Sequence, residues 1–322
     1  MTNVLLTGCT GFVGSNLAIK LVDEGYSVYG VVRHASRREL TALAPVLDEI
    51  HLVEGDLTEY HSMRSVIKGV QPRTLLHLGA MTPVRLSFED PYPYVSTNFG
   101  GTVNVVHAMI DEVPKARLIL ASTAEVYGWR TTHKPIEETE RLNPASPYAV
   151  SKEAADQYVR MAIRVYDLKA TILRPSNTYG RRGEKGFIVE YLISSMLKGE
   201  NCYIGAPKSV RDYMYVDDHV KSYLLAMESE RAVGEVLNVS PGNPVTTREL
   251  ADLIANLVGF KGSTVYGSYP PGYPRRPSAL DPDYLVLDSN KIRKRLGWKP
   301  SVSLKEGLKR TIDDWMKKNK YN

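Results

Sequence analysis

The chain has 322 residues, 43% of them hydrophobic and 24% charged, with a formal net charge of +5; this is the composition of a soluble globular protein, long enough for one large domain and a smaller one. The charge is mild, and its densest run, "MKKNK" near the C-terminus, reads as a solvated helix end, so nucleic-acid binding has no support. Two isolated cysteines, Cys9 and Cys202, make neither a disulfide framework nor a metal site and point to a reducing, cytoplasmic setting, while the absence of any run of about 18 apolar residues argues against a membrane span.

The elements follow one another in a regular rhythm. "NVLLTG" opens directly as a strand, without the layout of a leader peptide. Strands are predicted at Val4–Thr7, Ser27–Val32, His51–Glu54, Thr74–Leu78, Arg117–Ser122 and Ala170–Arg174. Helical patterns fill the gaps: "SNLAIKLVDEG", "SMRSVIKGV", "GTVNVVHAMIDEV" and the long "YAVSKEAADQYVRMAIRVYD". Such alternation predicts an α/β fold, a doubly wound parallel sheet of Rossmann type. Near-continuous apolar runs such as "RLILAS" suit strands buried on both faces.

After about Arg174 the rhythm changes, and Pro and Gly cluster in "RPSNTYGRRGEKG" and "GSYPPGYPRRPSALDP". Residues 1–175 are therefore read as the dinucleotide-binding domain, rejoined by about 211–240. Residues 176–322 are read as a smaller C-terminal α/β substrate domain. Two capping boxes are expected there, Thr246 with Glu249 and Ser303 with Glu306.

"TGCTGFVG" joins the first strand to the first helix, with glycines at Gly8, Gly11 and Gly14. Glycine permits the tight turn and close approach to a pyrophosphate, and the helix N-terminus offers N–H groups to the phosphates. Cys9 lies in this loop without an assigned role. An NAD site calls for an acid at the end of the second strand. This chain has Arg33, His34, Ser36, Arg37 and Arg38 there. Those donors suit a 2′-phosphate, so NADP is favoured over NAD; the bland alternative is a solvated basic loop. Asp56 in "GDL" either accepts from the adenine amino group or caps a helix.

"SPYAVSK" holds Tyr148 and Lys152 four residues apart, on one helical face. An ammonium beside a phenol lowers the tyrosine pKa and prepares it to take a hydroxyl proton. Upstream, "STAEVYG" delivers Thr123 and Glu125 beyond a strand end. The bland reading of Glu125 is a carboxylate held in a salt bridge. His77 in "LLHLGA" reads as a packed, hydrogen-bonded residue, and the seven histidines show no metal-ligand spacing. Trp298 and Trp315 are expected to pack C-terminal helices.

Together "TGCTGFVG", "GDL", "HLGA", "STAEVYG", "YAVSK", "RPSNTYG", "RDYMYVDD" and "LGWKP" resemble the extended short-chain dehydrogenase/reductase family, in its nucleotide-sugar epimerase/dehydratase branch. The resemblance implies that Gly8, Thr10, Gly11, Phe12, Val13, Gly14, Arg33, Ser36, Asp56, Leu57, Leu78 and Ala80 contact the cofactor. It implies that Tyr148 is the base for the sugar 4-hydroxyl, that Lys152 holds Tyr148 and the nicotinamide ribose, and that Thr123 bonds the same sugar oxygen. Asn177, Arg211 and Arg276 match positions that contact the nucleotide diphosphate. Glu125 stands where 4,6-dehydratases carry the group that removes the C5 proton and helps expel the C6 hydroxyl; simple 4-epimerases have a small or apolar residue there. Ala124 departs from the Asp-Glu pair of dTDP-glucose dehydratases and leaves "STAE" nearer to the "STSE" of GDP-mannose 4,6-dehydratases. A nucleotide-sugar 4,6-dehydratase, with GDP-mannose as the candidate substrate, is thus the leading expectation. A 4-epimerase is the alternative, and a dinucleotide-sensing scaffold the non-enzymatic one. The resemblance also implies a homodimer or tetramer.

Overall fold

A computed structural model describes residues 2–33, 40–130, 132–181, 186–269 and 283–319, with backbone alone for 318 and 319. Six strands, β1 (Asn3–Thr7), β2 (Ser27–Val32), β3 (His51–Glu54), β4 (Thr74–His77), β5 (Arg117–Ala121) and β6 (Ala170–Pro175), match the predicted ones to within a residue at each end. Further along lie β7 (Asn177–Tyr179), β8 (Cys202–Ile204), β9 (Val210–Arg211), β10 (Tyr213–Tyr215) and β11 (Val236–Val239). The main sheet has seven strands in the order β11-β6-β5-β4-β1-β2-β3, all parallel. The chain reverses direction across the sheet between β1 and β4, and a crevice opens at the carboxyl ends of the strands at such a switch point.

The helices are α1 (Phe12–Asp23), α2 (Tyr60–Val70), α3 (Tyr92–Tyr94), α4 (Gly101–Glu112), α5 (Pro147–Val165), α6 (Ile188–Leu197), α7 (Val216–Glu228), α8 (Thr247–Val258), α9 (Asn290–Leu296) and α10 (Leu304–Asn319). Alternating strand residues feed two cores. Val4 and Leu6 pack with Leu17 and Leu21 of α1 and Tyr223 of α7. Leu5 points the other way, among Met63, Ile67, Val105, Met109 and Val159 of α2, α4 and α5. Each such side chain contributes about 1.5–3 kcal/mol when fully buried, which is what holds helices on both faces of the sheet.

A third core joins Leu192 and Ile193 of α6, Leu250 and Ile254 of α8, and Leu308, Ile312 and Trp315 of α10. Around it β7 pairs with β10, β8 with β13 (Thr264–Tyr266), and β9 with β12 (Val245–Thr246) and β14 (Tyr284–Leu285). Thr246 and Glu249 form the reciprocal capping box at α8. At α10 the Ser303 hydroxyl accepts from the Glu306 N–H at 3.3 Å. The strings "RDYMYVDD" and "LGWKP" meet in space. The Asp218 carboxylate accepts from Ser301 N–H at 2.7 Å and Val302 N–H at 3.1 Å, and its carbonyl accepts from the Trp298 indole at 2.9 Å. Asp218 is therefore a structural cap that ties α7 to the C-terminal segment.

One feature lay outside the sequence pattern. Between α3 and α4 the chain continues as a π-helix, Val95–Gly100. There the Asn98 side chain exchanges bonds with the Met81 backbone at 2.8 and 3.0 Å and donates to Ser151 Oγ of α5 at 3.0 Å. The π-turn thereby fixes the loop after β4 against the helix that carries Tyr148 and Lys152.

Candidate active site

A cleft of about 1470 Å³ opens at the carboxyl ends of the main strands and runs on to β8 and β9. Its first wall is the glycine loop. Gly8 has φ of +74°, and a Cβ there would lie 2.7 Å from the Gly79 nitrogen; a Cβ on Gly14 would lie 2.0 Å from the Gly8 carbonyl oxygen. Only glycine fits, so the loop lies close against β4 and leaves the start of α1 open. Gly11 caps α1 without a side-chain hydrogen bond, which leaves the first turn's N–H groups to the cleft. This cradle fits a pyrophosphate, and Thr10, Phe12 and Val13 line it beside the three glycines.

Arg33, Asp56, Leu57, Leu78 and Ala80 line the same cleft at the ends of β2, β3 and β4. The Asp56 carboxylate accepts from the Thr58 N–H at 2.9 Å and its hydroxyl at 2.8 Å. Those bonds, followed by the charge of Arg33, hold it below the usual carboxylate range. Ser36, with His34, Arg37 and Arg38, lies outside the described residues, as does Arg276.

Thr123, Glu125, Tyr148 and Lys152 converge on the cleft. Thr123 leaves β5 as the cap of a 3-10 turn, Ala124–Tyr127, and its hydroxyl accepts from the Glu125 N–H at 3.2 Å. One short turn thus sets both side chains. Ser146 caps α5 by accepting from Ala149 N–H at 3.1 Å, with Pro147 in the first turn. Tyr148 and Lys152 follow on successive turns, and both are buried. The ring of Tyr94 meets Tyr148 edge-on, with centroids 6.4 Å apart.

The electrostatics differ from the expectation at one point. The Tyr148 phenol is held well above its ordinary value, first by burial and then by the charge of Glu125; the Thr123 hydrogen bond and the charge of Arg181 oppose this. The Lys152 ammonium donates to the Ala121 carbonyl at the end of β5. Burial holds Lys152 down at about 8, against an opposing pull from Asp156. Behind them, Asp156 takes a bidentate pair from Arg174 at 2.8 and 2.9 Å and a bond from Ser122 Oγ at 2.7 Å.

Asn177 and Arg211 lie on the far side of the cleft. The Arg211 guanidinium donates to Ser209 Oγ at 2.7 Å. His77 is a packed residue as expected, bonded to Thr7 at 2.8 Å and Thr102 at 3.1 Å and held neutral by burial. Sequence reasoning did not single out Arg181, whose guanidinium stacks over Phe12 at 4.4 Å and Phe187 at 3.5 Å. It spans the cleft from α6 to α1. Its only sequence signal is its place directly after "NTYG", which says nothing of a partner in the glycine loop.

The chain can now be set beside known proteins. The family described as GDP-mannose 4,6 dehydratase matches residues 5–311. A putative UDP-glucose 4-epimerase of Methanocaldococcus jannaschii is 31% identical, over 98% of this chain and 99% of its own length. Among solved structures, a UDP-glucose 4-epimerase of Thermotoga maritima with UDP-glucose is 31% identical at a TM-score of 0.87, covering 99% of this chain and all of the other. A dTDP-glucose 4,6-dehydratase of Streptomyces venezuelae with NAD bound is 26% identical at 0.86, covering 99% and 98%. Epimerases and dehydratases are thus alike over the whole length, and the chain belongs to the nucleotide-sugar epimerase/dehydratase branch of the extended short-chain dehydrogenase/reductase family, whose members are nicotinamide-dependent enzymes.

Proposed function

We propose that the protein is an NADP-dependent nucleotide-sugar 4,6-dehydratase, with GDP-mannose as the first substrate to test. The observation that carries this reading is Glu125, placed by the turn it shares with Thr123 in the cleft that holds Tyr148. The match to the GDP-mannose 4,6 dehydratase family agrees with it. When bound, the nicotinamide supplies reversible hydride exchange with the sugar.

Tyr148 takes the proton of the sugar 4-hydroxyl, and Thr123 holds the same oxygen. A phenol raised by burial becomes a base only when a cation stands against it. Lys152, at about 8, stays mostly charged at neutral pH and supplies that cation when its ammonium leaves the Ala121 carbonyl. A ketone at C4 acidifies the C5 proton. Glu125 removes that proton and passes it to the departing C6 hydroxyl, which leaves as water, so the carboxylate is regenerated and a C5=C6 double bond remains. Return of the hydride to C6 and of a proton to C5 then gives the 4-keto-6-deoxy sugar, with no net change in the redox state of the cofactor. Gly8, Thr10, Gly11, Phe12, Val13, Gly14, Asp56, Leu57, Leu78 and Ala80 hold the dinucleotide. Arg33 recognises its 2′-phosphate, a choice supported by the missing acid at the end of β2. The NAD found in the dehydratase structure from Streptomyces venezuelae keeps NAD as the competing cofactor. Asn177 and Arg211 bind the substrate diphosphate.

We also read the molecule as a cytoplasmic homodimer paired through α4 and α5, where Val150 and Val165 are exposed. Its division is read as 1–175, rejoined by about 211–240, and 176–322. The alternative reading, a nucleotide-sugar 4-epimerase, is favoured by the names of two relatives, a putative UDP-glucose 4-epimerase and a UDP-glucose 4-epimerase.

The test is a product screen by mass spectrometry with GDP-mannose, UDP-glucose, dTDP-glucose and CDP-glucose and both cofactors. A product lighter by one water supports the dehydratase. A product of unchanged mass that separates as a different sugar makes the protein an epimerase and Glu125 a bystander.

A further inference from the structure

Three polar atoms beside the reacting residues have no role in the reading above. Ser176 Oγ, just past β6, and His219 Nε2 and Tyr223 Oη, both on α7, are buried and have no hydrogen-bond partner among the described residues. Ser176, His219 and Tyr223 are 6%, 5% and 0% exposed, and all three line the cleft. The two rings on α7 are a helical turn apart, with centroids separated by 5.2 Å. A buried polar group left unpaired costs about 1–3 kcal/mol, so three in one place call for an explanation.

Their chemistry is specific. His219 Nδ1 lies 2.9 Å from the Thr178 hydroxyl, and that hydroxyl donates to the Ser176 carbonyl at 3.3 Å. With the Thr178 proton on the Ser176 carbonyl, Nδ1 carries the imidazole hydrogen and Nε2 presents a lone pair. Burial, aided by the charge of Arg181, holds His219 neutral, with its pKa at about 3. Tyr223 remains protonated: burial and the neighbouring Tyr148 both push its phenol up. The recess therefore offers one acceptor and two hydroxyls that can donate, and none of the three carries charge. A carboxylate or phosphate would face the imidazole lone pair unfavourably, and an ammonium would find no counter-charge among these groups. The group that matches is small, planar and neutral, with an NH₂ at one end and a C=O at the other.

We propose that Ser176, His219 and Tyr223 form a receptor for the primary carboxamide of a nicotinamide ring, with His219 Nε2 accepting from its NH₂ and the hydroxyls donating to its oxygen. This rests on the cofactor half of the function proposed above and is independent of the choice between dehydratase and epimerase. It accounts for the orphaned atoms and sets the ring beside Tyr148.

The test is a binding measurement by titration calorimetry on the whole chain, without sugar nucleotide. The ligands are NADP⁺ or NAD⁺, whichever binds more tightly, and its 3-acetylpyridine analogue, in which a methyl replaces the NH₂. The wild type is expected to bind the analogue about tenfold more weakly, the worth of one well-made hydrogen bond to a buried acceptor. His219→Phe is expected to bring that ratio close to one. Tyr223→Phe is expected to weaken both ligands several-fold and leave the ratio unchanged. Comparing two ligands on one sample cancels any loss of folded protein, and Tyr223→Phe removes only a hydroxyl. If the wild type binds both ligands equally, or His219→Phe still discriminates, the recess holds water and the proposal fails while the cofactor reading stands. If neither dinucleotide binds the wild type, both fail.

Discussion

Replacing Asp156 with asparagine should unfold the protein far more easily, although Asp156 lies on the second turn of α5 past Tyr148 and faces away from solvent. Asp156 and Arg174 are each 0% exposed, and their two charged contacts measure 2.8 and 2.9 Å. Arg174 also donates to the Tyr127 phenol at 2.8 Å, and its guanidinium lies 5.0 Å from that ring's centroid. Asp156→Asn keeps the shape but removes the charge and one of the two acceptor oxygens, so the guanidinium stays buried without its counter-charge, held by one amide oxygen, the tyrosine and a long contact of 3.4 Å to the Glu138 carbonyl. Removing one partner of such a buried pair outright costs about 3–5 kcal/mol; because the asparagine oxygen keeps one of the two charge-assisted bonds, the low end, about 3 kcal/mol, is expected. At roughly 2 °C per kcal/mol for a domain of this size, the melting temperature should fall by about 6 °C. Thermal and urea unfolding of both proteins at one pH measure it. Adding Arg174→Met to Asp156→Leu should restore part of the loss, because a matched apolar pair leaves no charge unpaired. A fall of less than 2 °C in Asp156→Asn would refute the reasoning, because it would mean that the buried arginine does not depend on its carboxylate.

Three further outcomes follow from the site. Glu125→Gln should still form the 4-keto sugar, seen as a transient rise in reduced cofactor absorbance, but lose water about 10²–10⁴-fold more slowly; dehydration at the wild-type rate removes Glu125 from the mechanism. Arg33→Ala should weaken NADP about 10–100-fold, the worth of a charged contact to phosphate, and leave NAD nearly unchanged; equal losses in a fluorescence titration contradict the 2′-phosphate assignment. Lys152 titrates at about 8 in the folded chain against an ordinary 10.5, so above pH 8 the unfolded chain binds the extra proton and stability from this residue rises with pH. Relative to Lys152→Met, the wild type should gain about 3 kcal/mol between pH 8 and 10.5 in urea titrations, and a flat difference would show that the ammonium is not desolvated.

The sequence by itself determined the elements and much of the site. Short, near-continuous apolar runs between helical patterns marked six strands, because a parallel strand covered by helices is buried on both faces. The glycines of "TGCTGFVG" were legible because backbone sterics at Gly8 and Gly14 admit nothing larger. Tyr148 and Lys152 were legible because the helical repeat alone puts residues four apart on one face.

What the tertiary structure decided is collective. Whether Lys152 lowers the Tyr148 pKa depends on where the ammonium finds its acceptor, and that is a strand-end carbonyl distant in sequence. Burial sets the sign at Tyr148, and it is contributed by many segments at once. Arg181 reaches Phe12, and Asp218 reaches Ser301, only after the sheet has brought them together. The same holds for the recess of Ser176, His219 and Tyr223: a sequence states which hydrogen bonds a residue can make, but only the packed chain states which are left unmade.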